Sequence, residues 1–247
     1  MKPVLVVTGG SRGIGAATAR LAAQSGYSVC LSYNSRPQAA ESVVDGIVAA
    51  GGDALAVQAD VAVEGDVVRL FALASTLGPL RGLVNNAGIL ERQARVEAMD
   101  VQRLTRVFAV NVIGTFVCAR EAVHRMSTRH GGAGGAIVNV SSAASRLGSP
   151  GEYVDYAASK GAVDSFTLGL AKEVAAEGIR VNAVRPGVIR TDIHASGGEP
   201  GRVERVKAAV PMLRGGEPEE VAQAIVWLLS DAASYCTGSL LDVSGGR

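Results

Sequence analysis

The chain lacks the features that mark several classes of protein. Its 247 residues include only three cysteines, Cys30, Cys118 and Cys236, which lie far apart in the sequence. Neither a disulfide framework nor a metal-binding knuckle has this spacing, so we expect free thiols in a reducing compartment and no metal site. Lys and Arg together number 24 and Asp and Glu 23, which leaves a formal net charge of +1. Because nucleic-acid binding normally requires a strong basic excess, no nucleic-acid partner is expected.

The sequence also shows no recognisable targeting segment or membrane-spanning segment. Met1-Lys2-Pro3 leads directly into a short apolar strand, and no uninterrupted apolar run looks long enough to cross a bilayer. No linker, internal repeat or low-complexity segment divides the chain. We therefore expect a cytoplasmic protein without a membrane partner, in which residues 1–247 form a single domain around one substantial core.

What the sequence does contain is a regular alternation of short β-branched runs and amphipathic helical stretches. This alternation predicts an α/β fold, a single doubly wound Rossmann-type domain with a seven-stranded parallel sheet and helices on both faces. The predicted strands lie near 3–8, 28–33, 54–58, 80–85, 135–141, 179–184 and 239–243. The predicted helices lie near 13–25, 37–50, 64–77, 98–129, 152–177 and 217–230.

One segment interrupts the alternation. Residues 188–216 contain Gly197-Gly198, Pro200-Gly201, Pro211 and Gly215-Gly216, with only a short helical patch between them. Long irregular segments in compact domains often cover binding sites, although an ordinary solvated connection has the same composition. We expect a substrate lid here because the motifs described below surround the segment.

A glycine-rich turn follows the first strand. Val4-Leu5-Val6-Val7 is followed by Thr8-Gly9-Gly10-Ser11-Arg12-Gly13-Ile14-Gly15 and then by a helical pattern. A strand, a glycine-rich turn and a helix in this order can hold a pyrophosphate at the helix N-terminus. The segment therefore predicts a dinucleotide-binding site.

A second motif is able to move a proton. Tyr156 and Lys160 are four residues apart in a predicted helix, which places the phenol and the ammonium side by side on one face. Free tyrosine, with a pKa of about 10, is a poor base near neutrality, and a neighbouring ammonium should lower that pKa. A proton-transfer group beside a dinucleotide site indicates an oxidoreductase.

The glycine spacing carries a family resemblance. Gly9-x-x-x-Gly13-x-Gly15 resembles the T-G-x-x-x-G-x-G turn of the short-chain dehydrogenase/reductase family. Further matches follow in the family's order: Asp60-Val61, Asn85-Asn86-Ala87-Gly88, Asn111, Ser141-Ser142, Tyr156, Lys160 and Pro186-Gly187. The resemblance runs from Val4 to Gly246, and glucose dehydrogenase-like and 3-oxoacyl-carrier-protein reductase-like members look most similar.

The resemblance implies a set of cofactor-binding residues. It gives Lys160 hydrogen bonds to the nicotinamide ribose, Ile189 backbone contacts with the carboxamide, and Thr191 a hydroxyl for the amide or a phosphate. The whole implied set is Gly9, Ser11, Arg12, Gly13, Ile14, Gly15, Tyr33, Asn34, Arg36, Asp60, Val61, Asn86, Ala87, Gly88, Tyr156, Lys160, Pro186, Gly187, Ile189 and Thr191.

The second strand bears on the choice of nicotinamide cofactor. It ends in Tyr33-Asn34-Ser35-Arg36, without the carboxylate that would accept the ribose 2′-hydroxyl of NAD. Arg36 and Arg12 could together bind the 2′-phosphate of NADP, since guanidinium–phosphate pairing is strong. The alternative is that Arg36 is merely solvated and Arg12 packs on the adenine. We expect a preference for NADP, with NAD still possible.

The resemblance also implies four catalytic residues: Asn111, Ser142, Tyr156 and Lys160. Ser142 would bind the substrate carbonyl, although the adjacent Ser141 has the same chemistry and would point to the opposite face of an extended strand. Ser142 lies 14 positions before Tyr156, one more than in many family members. We expect the extra residue to loop out at 148–151, which affects the substrate pocket more than the chemistry.

Two other residues need an assignment. Tyr153 lies two helical turns from Lys160, so we expect a packing residue with a solvated hydroxyl rather than the catalytic tyrosine; the alternative that the resemblance offers is a residue that faces the substrate. Asn111 interrupts a predicted helix, and in the family the carbonyl group that such an asparagine releases holds a water linked to the lysine.

The overall prediction is an NADP-dependent oxidoreductase that transfers a hydride between the nicotinamide and a carbonyl or secondary alcohol, with Tyr156 as general acid/base. A non-catalytic NADP-binding sensor or scaffold on the same fold is the alternative. The substrate is expected to be a small molecule that the fold does not identify. Docking of an acidic carrier protein at Arg129 and Lys172 is a weaker hypothesis than simple solvation of these cations. The resemblance of the long helices and last strand to family interfaces implies a D2 homotetramer.

Overall fold

The protein is described by a computed structural model of residues 1–247, built around one seven-stranded sheet. The strands are β1 (Val4–Val7), β2 (Ser28–Tyr33), β3 (Ala54–Gln58), β4 (Leu80–Asn85), β5 (Gly135–Val140), β6 (Ile179–Pro186) and β7 (Leu240–Val243). All neighbouring pairs are parallel, in the order β3-β2-β1-β4-β5-β6-β7. The predicted parallel sheet is confirmed, with β6 two residues longer than expected.

The strand order creates a crevice at one edge of the sheet. The chain runs outward through β1, β2 and β3 and then returns to place β4 on the other side of β1. Val7 pairs with Leu31 on one side and with Val84 on the other. In open α/β sheets, ligands bind beyond the carboxyl ends of the strands at such a reversal of order. The fold therefore positions a site where β1 and β4 end.

Helices cover both faces of the sheet. They are α1 (Gly13–Gln24), α2 (Pro37–Ala49), α3 (Glu64–Ala74), α4 (Val101–Phe108), α5 (Gly114–Met126), α6 (Ala144–Leu147), α7 (Val154–Val174), α8 (Ile193–Ser196), α9 (Arg202–Val206) and α10 (Pro218–Leu229). One apolar core joins the sheet to α3, α5 and α7, and a second joins it to α1, α2 and α10. A strand that is covered on both faces has to be apolar throughout, and all four residues of β1 are both apolar and buried. The doubly wound prediction is confirmed.

The single helix expected over 98–129 is wrong. The structure has α4, then a π-helical turn at Ala109–Ile113, then α5, with short 3₁₀ turns at Val96–Ala98 and Thr128–His130. Gly114 begins α5 in close contact with Val61, whose carbonyl oxygen would lie 2.9 Å from an added Cβ. A π turn inserts an extra residue into a helix, commonly at functional sites, and this one contains Asn111.

The same stretch corrects the prediction that no apolar segment is long enough to cross a bilayer. Val101–Met126 is 26 residues long and is long and apolar enough, by length and composition, to cross a membrane. In this fold its inner face belongs to the protein core, where Val107, Cys118 and Met126 are buried. A core helix of a protein passes the same test of length and composition, so this segment alone is weak evidence for a membrane partner.

The connections near the crevice contain structure that the periodicity did not predict. The short helix α6 follows β5, and the loop after it turns through left-handed residues at Gly148, Ser149 and Gly151. This loop covers residues 148–151, where the extra residue is expected to loop out. In the irregular segment 188–216, two short helices, α8 and α9, replace the single helical patch.

Candidate active site

A cleft of ≈ 380 Å³ opens beyond the carboxyl ends of β1 to β6. Most of the residues that the sequence assigned to cofactor or substrate meet there. Those lining the cleft are Gly9, Ser11, Arg12, Gly13, Ile14, Tyr33, Asn34, Arg36, Asp60, Val61, Asn86, Ala87, Gly88, Ser142, Tyr156, Lys160, Pro186, Gly187, Ile189 and Thr191. Residues separated by up to 182 positions in the sequence, from Gly9 to Thr191, thus line the same cleft.

Two predicted residues, Gly15 and Asn111, lie behind the cleft wall. An added Cβ on Gly15 would meet the carbonyl oxygen of Gly9 and would lie 2.5 Å from Nδ2 of Asn86. Gly15 therefore permits the close approach of α1 to the glycine turn. Asn111 is fully buried. Both residues shape the site without forming its surface.

The glycine turn leaves the first turn of α1 open toward the cleft. Gly9 and Gly13 have left-handed backbone angles, with φ of +63° and +51°, which a side chain would oppose. Arg12 precedes the helix but makes no side-chain capping bond. The first N–H groups of a helix have no partner within the helix and carry its positive dipole end. The N-terminus of α1 has no side-chain cap, and glycines leave space in front of it, so it fits the pyrophosphate of a dinucleotide.

Thr8 and Asn86 brace the turn from beneath. The amide Nδ2 of Asn86 donates to the carbonyl oxygens of Thr8 at 2.8 Å and Gly9 at 2.9 Å. The hydroxyl of Thr8 accepts hydrogen bonds from the backbone N–H groups of Asn86 and Ala87, each at 3.0 Å. The side-chain amide nitrogen of Asn86 thus fixes the position of the glycine turn.

Tyr156 faces the cleft from α7. Burial raises the pKa of its phenol, while a hydrogen bond with Ser142 acts in the opposite direction. The lowering expected from Lys160 is not found, because Nζ of Lys160 lies 5.6 Å from the tyrosine ring centroid and donates to the carbonyl oxygen of Val140 at 2.7 Å. Near neutral pH the phenol is therefore a proton donor in this state.

Lys160 is itself strongly affected by its surroundings. Burial lowers the pKa of its ammonium to about 8, and the carboxylate of Asp164 partly opposes that change. Asp164 is held in turn by Arg185, whose Nη2 lies 2.9 Å from its Oδ2. A lysine whose pKa lies near physiological pH can exchange protons as well as bind hydroxyl groups.

The two serines that end β5 have different surroundings. The hydroxyl of Ser141 is buried and donates to the carbonyl oxygen of Lys160 at 3.2 Å. The oxygen of Ser142 accepts from the N–H of Ala144 at 3.1 Å, which leaves its proton free toward Tyr156. This difference favours Ser142 as the substrate-binding hydroxyl, as expected from the resemblance.

Asn111 joins three parts of the site. Its Oδ1 accepts from the N–H of Ile89 at 2.8 Å, and its Nδ2 donates to the carbonyl oxygen of Ile89 and to Oγ of Ser159, both at 3.1 Å. Ser159 donates to the carbonyl oxygen of Tyr156 at 2.7 Å. The backbone carbonyl of Asn111 accepts from the hydroxyl of Thr115 at 2.9 Å, so it is not simply released.

At the adenosine end, the two arginines converge as expected, but onto a carboxylate. Nη1 of Arg12 lies 3.6 Å and Nη1 of Arg36 lies 3.4 Å from the same Oδ2 of Asp192. Asp60 accepts from the amide of Asn34 at 3.3 Å and so connects the ends of β2 and β3. Asp192 was absent from the sequence-based set, although it directly follows Thr191.

The opposite end of the cleft is closed by charged contacts. Arg202 of α9 lies over the ring of Tyr153 at 4.9 Å and pairs with Glu152 at 2.5 Å and Glu199 at 3.1 Å. Arg205 also pairs with Glu152, at 2.8 Å. Together these contacts hold the segment after β6 against the loop before α7.

Tyr153 packs as predicted, but its predicted solvated hydroxyl is wrong. The residue is 2% exposed and its hydroxyl oxygen is buried, while Arg202 lies over its ring. Farther along, Nε2 of His194 contacts the carbonyl oxygen of Ile189 at 2.9 Å and so occupies one of the two acceptor sites of that oxygen. Burial lowers the pKa of His194 and so favours the neutral ring, and Nε2 is the donor because a carbonyl oxygen can only accept.

The residues that sequence reasoning missed differ in the signals they leave. Thr8 belongs to the glycine motif, and Ser159 lies one helical turn after Tyr156, so spacing could have indicated both. Asp192 and Arg202 meet their partners only through the tertiary fold, and no local pattern identifies them. Arg129, considered as a docking cation, pairs with Glu177 at 3.1 Å.

Comparisons with known proteins give matches along essentially the whole chain. A family model described as Enoyl-(Acyl carrier protein) reductase matches residues 9–247. An Escherichia coli (strain K12) protein named "Uncharacterized oxidoreductase YgfF" is 62% identical over 245 residues, covering 99% of each chain. A 3-oxoacyl-[acyl-carrier-protein] reductase of Synechocystis is 40% identical over 245 residues, covering 98% of this chain and 96% of that protein.

The solved structures agree with these matches. The structure of a short chain dehydrogenase from Burkholderia cenocepacia J2315 in complex with NADP has a TM-score of 0.90 and 31% identity. The match covers 99% of this chain and 97% of that chain. The similarity therefore includes the sheet, the glycine turn and the segments that enclose the cleft.

Proposed function

Because this chain belongs to the short-chain dehydrogenase/reductase family of oxidoreductases, we propose that it transfers a hydride between NADP and a carbonyl or secondary alcohol, with Tyr156 as general acid/base. The observation that carries the proposal is the meeting of Ser142, Tyr156 and Lys160 in the same cleft as the open N-terminus of α1. The nicotinamide supplies the hydride, and the side chains hold the substrate oxygen and its proton.

In the direction of reduction, Tyr156 protonates the substrate oxygen. A phenol whose pKa is raised by burial remains protonated near neutral pH and can give its proton to a developing alkoxide. Ser142 orients the same oxygen through its free hydroxyl proton. Lys160, with a pKa of about 8, is placed to hold the ribose hydroxyls and to return a proton toward Tyr156.

The proton path to solvent passes by the turn that contains Asn111. Its side chain fixes Ile89 and Ser159, and Ser159 fixes the backbone of Tyr156. A carbonyl oxygen has two acceptor sites, so the carbonyl of Asn111 retains one beside its bond from Thr115 for a water linked to Lys160. We assign Asn111 a positioning role on this basis.

Arg12 and Arg36 support NADP as the preferred cofactor. Both guanidinium groups lie at the end of β2, where an acid would favour NAD. The Burkholderia relative contains NADP in its structure. Binding of NAD remains compatible with the uncapped helix end, which contacts only the shared pyrophosphate. We also assign the nicotinamide amide to the N–H of Ile189 and the hydroxyl of Thr191.

The segment 188–216 acts as the substrate lid in this proposal. Its helix α9 is fixed to Glu152 and Tyr153 through Arg202, and both Tyr153 and Arg202 line the cleft that contains Tyr156. Opening of the cleft would require release of these pairs, of which only those of Arg205 are half-exposed; the side chains of Arg202 and Glu152 are 11% and 26% exposed, so breaking their pair costs more than breaking a surface pair. The substrate is a small carbonyl compound, and the pairing of Arg129 with Glu177 gives no support to carrier-protein docking there.

A homotetramer in the cytoplasm is the assembly we propose. Apolar side chains on α5, the preceding π turn and α7 remain exposed: Ile113 by 56%, Phe116 by 47% and Leu168 by 41%. Phe116 also packs on Phe166 with ring centroids 3.8 Å apart, which joins α5 and α7 into one face. A contiguous apolar face of this kind fits burial against a second copy.

The function is tested by NADPH oxidation against a panel of aldehydes, ketones, quinones, keto-sugars and 3-oxoacyl thioesters. Tyr156→Phe should reduce turnover by at least about 100-fold, as expected for loss of general acid catalysis, and should retain NADPH binding measured by fluorescence. Tyr235→Phe is the matched control, because that ring is fully exposed and remote from the cleft. NADPH binding without turnover by the wild type on the whole panel would favour the sensor or scaffold alternative.

A further inference from the structure

Three segments that are distant in sequence meet at the adenosine end of the cleft. Arg12 comes from the glycine turn, Arg36 precedes α2, and Asp192 precedes α8. One carboxylate oxygen of Asp192 lies 3.6 Å from Arg12 and 3.4 Å from Arg36. All three side chains line the cleft and are partly exposed, by 41%, 57% and 60% for Arg12, Arg36 and Asp192.

The carboxylate of Asp192 forms ion pairs with Arg12 and Arg36 and does not cap its own helix. Although Asp192 lies at the N-cap position of α8, its side chain makes no capping hydrogen bond. Only its backbone carbonyl serves that region, accepting from the N–H of Ser196 at 3.0 Å and from its hydroxyl at 3.2 Å. The side chain is therefore directed at the two guanidinium groups rather than at its own helix.

We infer that Asp192 is a specificity-determining residue, a built-in competitor for the 2′-phosphate of NADP that moderates the preference for NADP over NAD. Arg12 and Arg36 carry two positive charges, and Asp192 neutralises one of them. A 2′-phosphate brings a charge of about −1.5 to −2 to the same guanidinium groups and must displace or approach the carboxylate. NAD, which carries a hydroxyl there, does not meet this competition.

The same carboxylate can also replace the missing acid of β2. In dinucleotide-binding folds an Asp or Glu at the end of the second strand accepts a hydrogen bond from the ribose 2′-hydroxyl of NAD. This chain has Asn34 near that point, while Asp192 reaches the neighbouring Arg36 from the lid side. Asp192 thus opposes the phosphate and offers the hydroxyl an acceptor, and both effects shift the balance toward NAD.

The test compares 2′,5′-ADP with 5′-ADP as probes, with binding measured by isothermal titration calorimetry. The Asp192→Asn variant removes the charge and keeps the shape of the side chain. We expect it to bind 2′,5′-ADP about 3- to 10-fold more tightly, the range for two exposed ion pairs that no longer compete. Its affinity for 5′-ADP should be unchanged or lower. The gain should shrink at high salt, since exposed charges are screened.

Glu204→Gln is the matched control. It removes the same charge from the same segment, but Glu204 pairs with Arg190 at 2.8 Å and with Lys207, away from the phosphate end. The control should bind both nucleotides as the wild type does. The double variant Arg36→Gln, Asp192→Asn should gain less over Arg36→Gln than the single Asp192→Asn variant gains over wild type.

The inference rests on the proposed NADP site, and the outcomes separate the two. Unchanged or weaker 2′,5′-ADP binding by Asp192→Asn, with wild-type binding intact, would overturn the role of Asp192 alone. An equal gain for 5′-ADP would do the same, because the effect would then not concern the 2′-position. Failure of both nucleotides to bind wild-type protein would overturn the cofactor site itself.

Discussion

The ion pair between Arg103 and Asp155 should be among the most important side-chain contacts for stability. Nε of Arg103 lies 2.7 Å and Nη2 lies 3.1 Å from the two carboxylate oxygens of Asp155, and the Arg103 and Asp155 side chains are 10% and 1% exposed. Nη1 of Arg103 donates to the carbonyl oxygen of Arg92 at 2.6 Å. This contact joins α4, the loop after β4 and the start of α7 directly before Tyr156.

Asp155→Ala should therefore lower the free energy of unfolding by about 3 to 5 kcal/mol, the usual result of leaving a buried charge without its partner. Arg103 would remain desolvated, and its hydrogen bond to Asp155 is the main reason that its pKa is raised. The double variant Arg103→Met, Asp155→Leu should recover most of the loss, because an apolar pair of similar volume leaves no unpaired charge.

Urea denaturation followed by circular dichroism measures both variants. Asp53→Ala serves as a control, since its pair with Lys2 is exposed on both sides and its hydrogen bond from Ser28 is long, at 3.4 Å, so only a small loss is expected. A change of less than about 1 kcal/mol for Asp155→Ala would refute the reasoning, because a pair of this kind cannot be both desolvated and dispensable. A double variant that is no more stable than Asp155→Ala would show that geometry, not charge, makes the contribution.

Two further changes test the cofactor turn and the lysine. Gly15→Ala should weaken NADPH binding at least about tenfold in a fluorescence titration, because its Cβ would meet the carbonyl oxygen of Gly9 and overpacking distorts the turn; Gly65→Ala, with open space around it, should bind normally. Burial lowers the pKa of Lys160 to about 8, whereas an unfolded lysine has a pKa of about 10.4, so the unfolded chain binds more protons between these values. The free energy of unfolding should thus rise as pH increases from about 8 to about 10, and Lys160→Met should flatten that rise in denaturant titrations at several pH values.

The sequence predicted most of the parts of the site that are local. The glycine turn, the Tyr156 and Lys160 pair and the order of strands and helices follow from short-range spacing, and the fold brings them to one cleft. The division of residues 98–129 into α4, a π turn and α5 was not predictable from periodicity. A π turn keeps the helical pattern of apolar residues nearly intact, and only the contact of Gly114 with Val61 and the side-chain bonds of Asn111 reveal the interruption.

Electrostatic properties were harder to predict than positions, because they depend on burial and on distant partners. The sequence places an ammonium near Tyr156 but does not give the desolvation that raises the pKa of the phenol. It shows two arginines near a phosphate site but does not show that Asp192 reaches both of them. The carboxylate comes from the segment 188–216, so the charge around Arg12 and Arg36 depends on the position of that segment.

That connection would give the proposed lid, residues 188–216, a second role in addition to covering the substrate. Its start holds Asp192 at the adenosine end, and its helix α9 holds Arg202 over Tyr153 at the substrate end. Since Asp192 and Arg202 both line the cleft and both form ion pairs, the inferred displacement of Asp192 by a 2′-phosphate would act on the segment that carries Arg202. In the proposed mechanism, cofactor identity and substrate access would thus depend on one continuous stretch of chain between Thr191 and Arg205, whereas Tyr156 and Lys160 lie on α7.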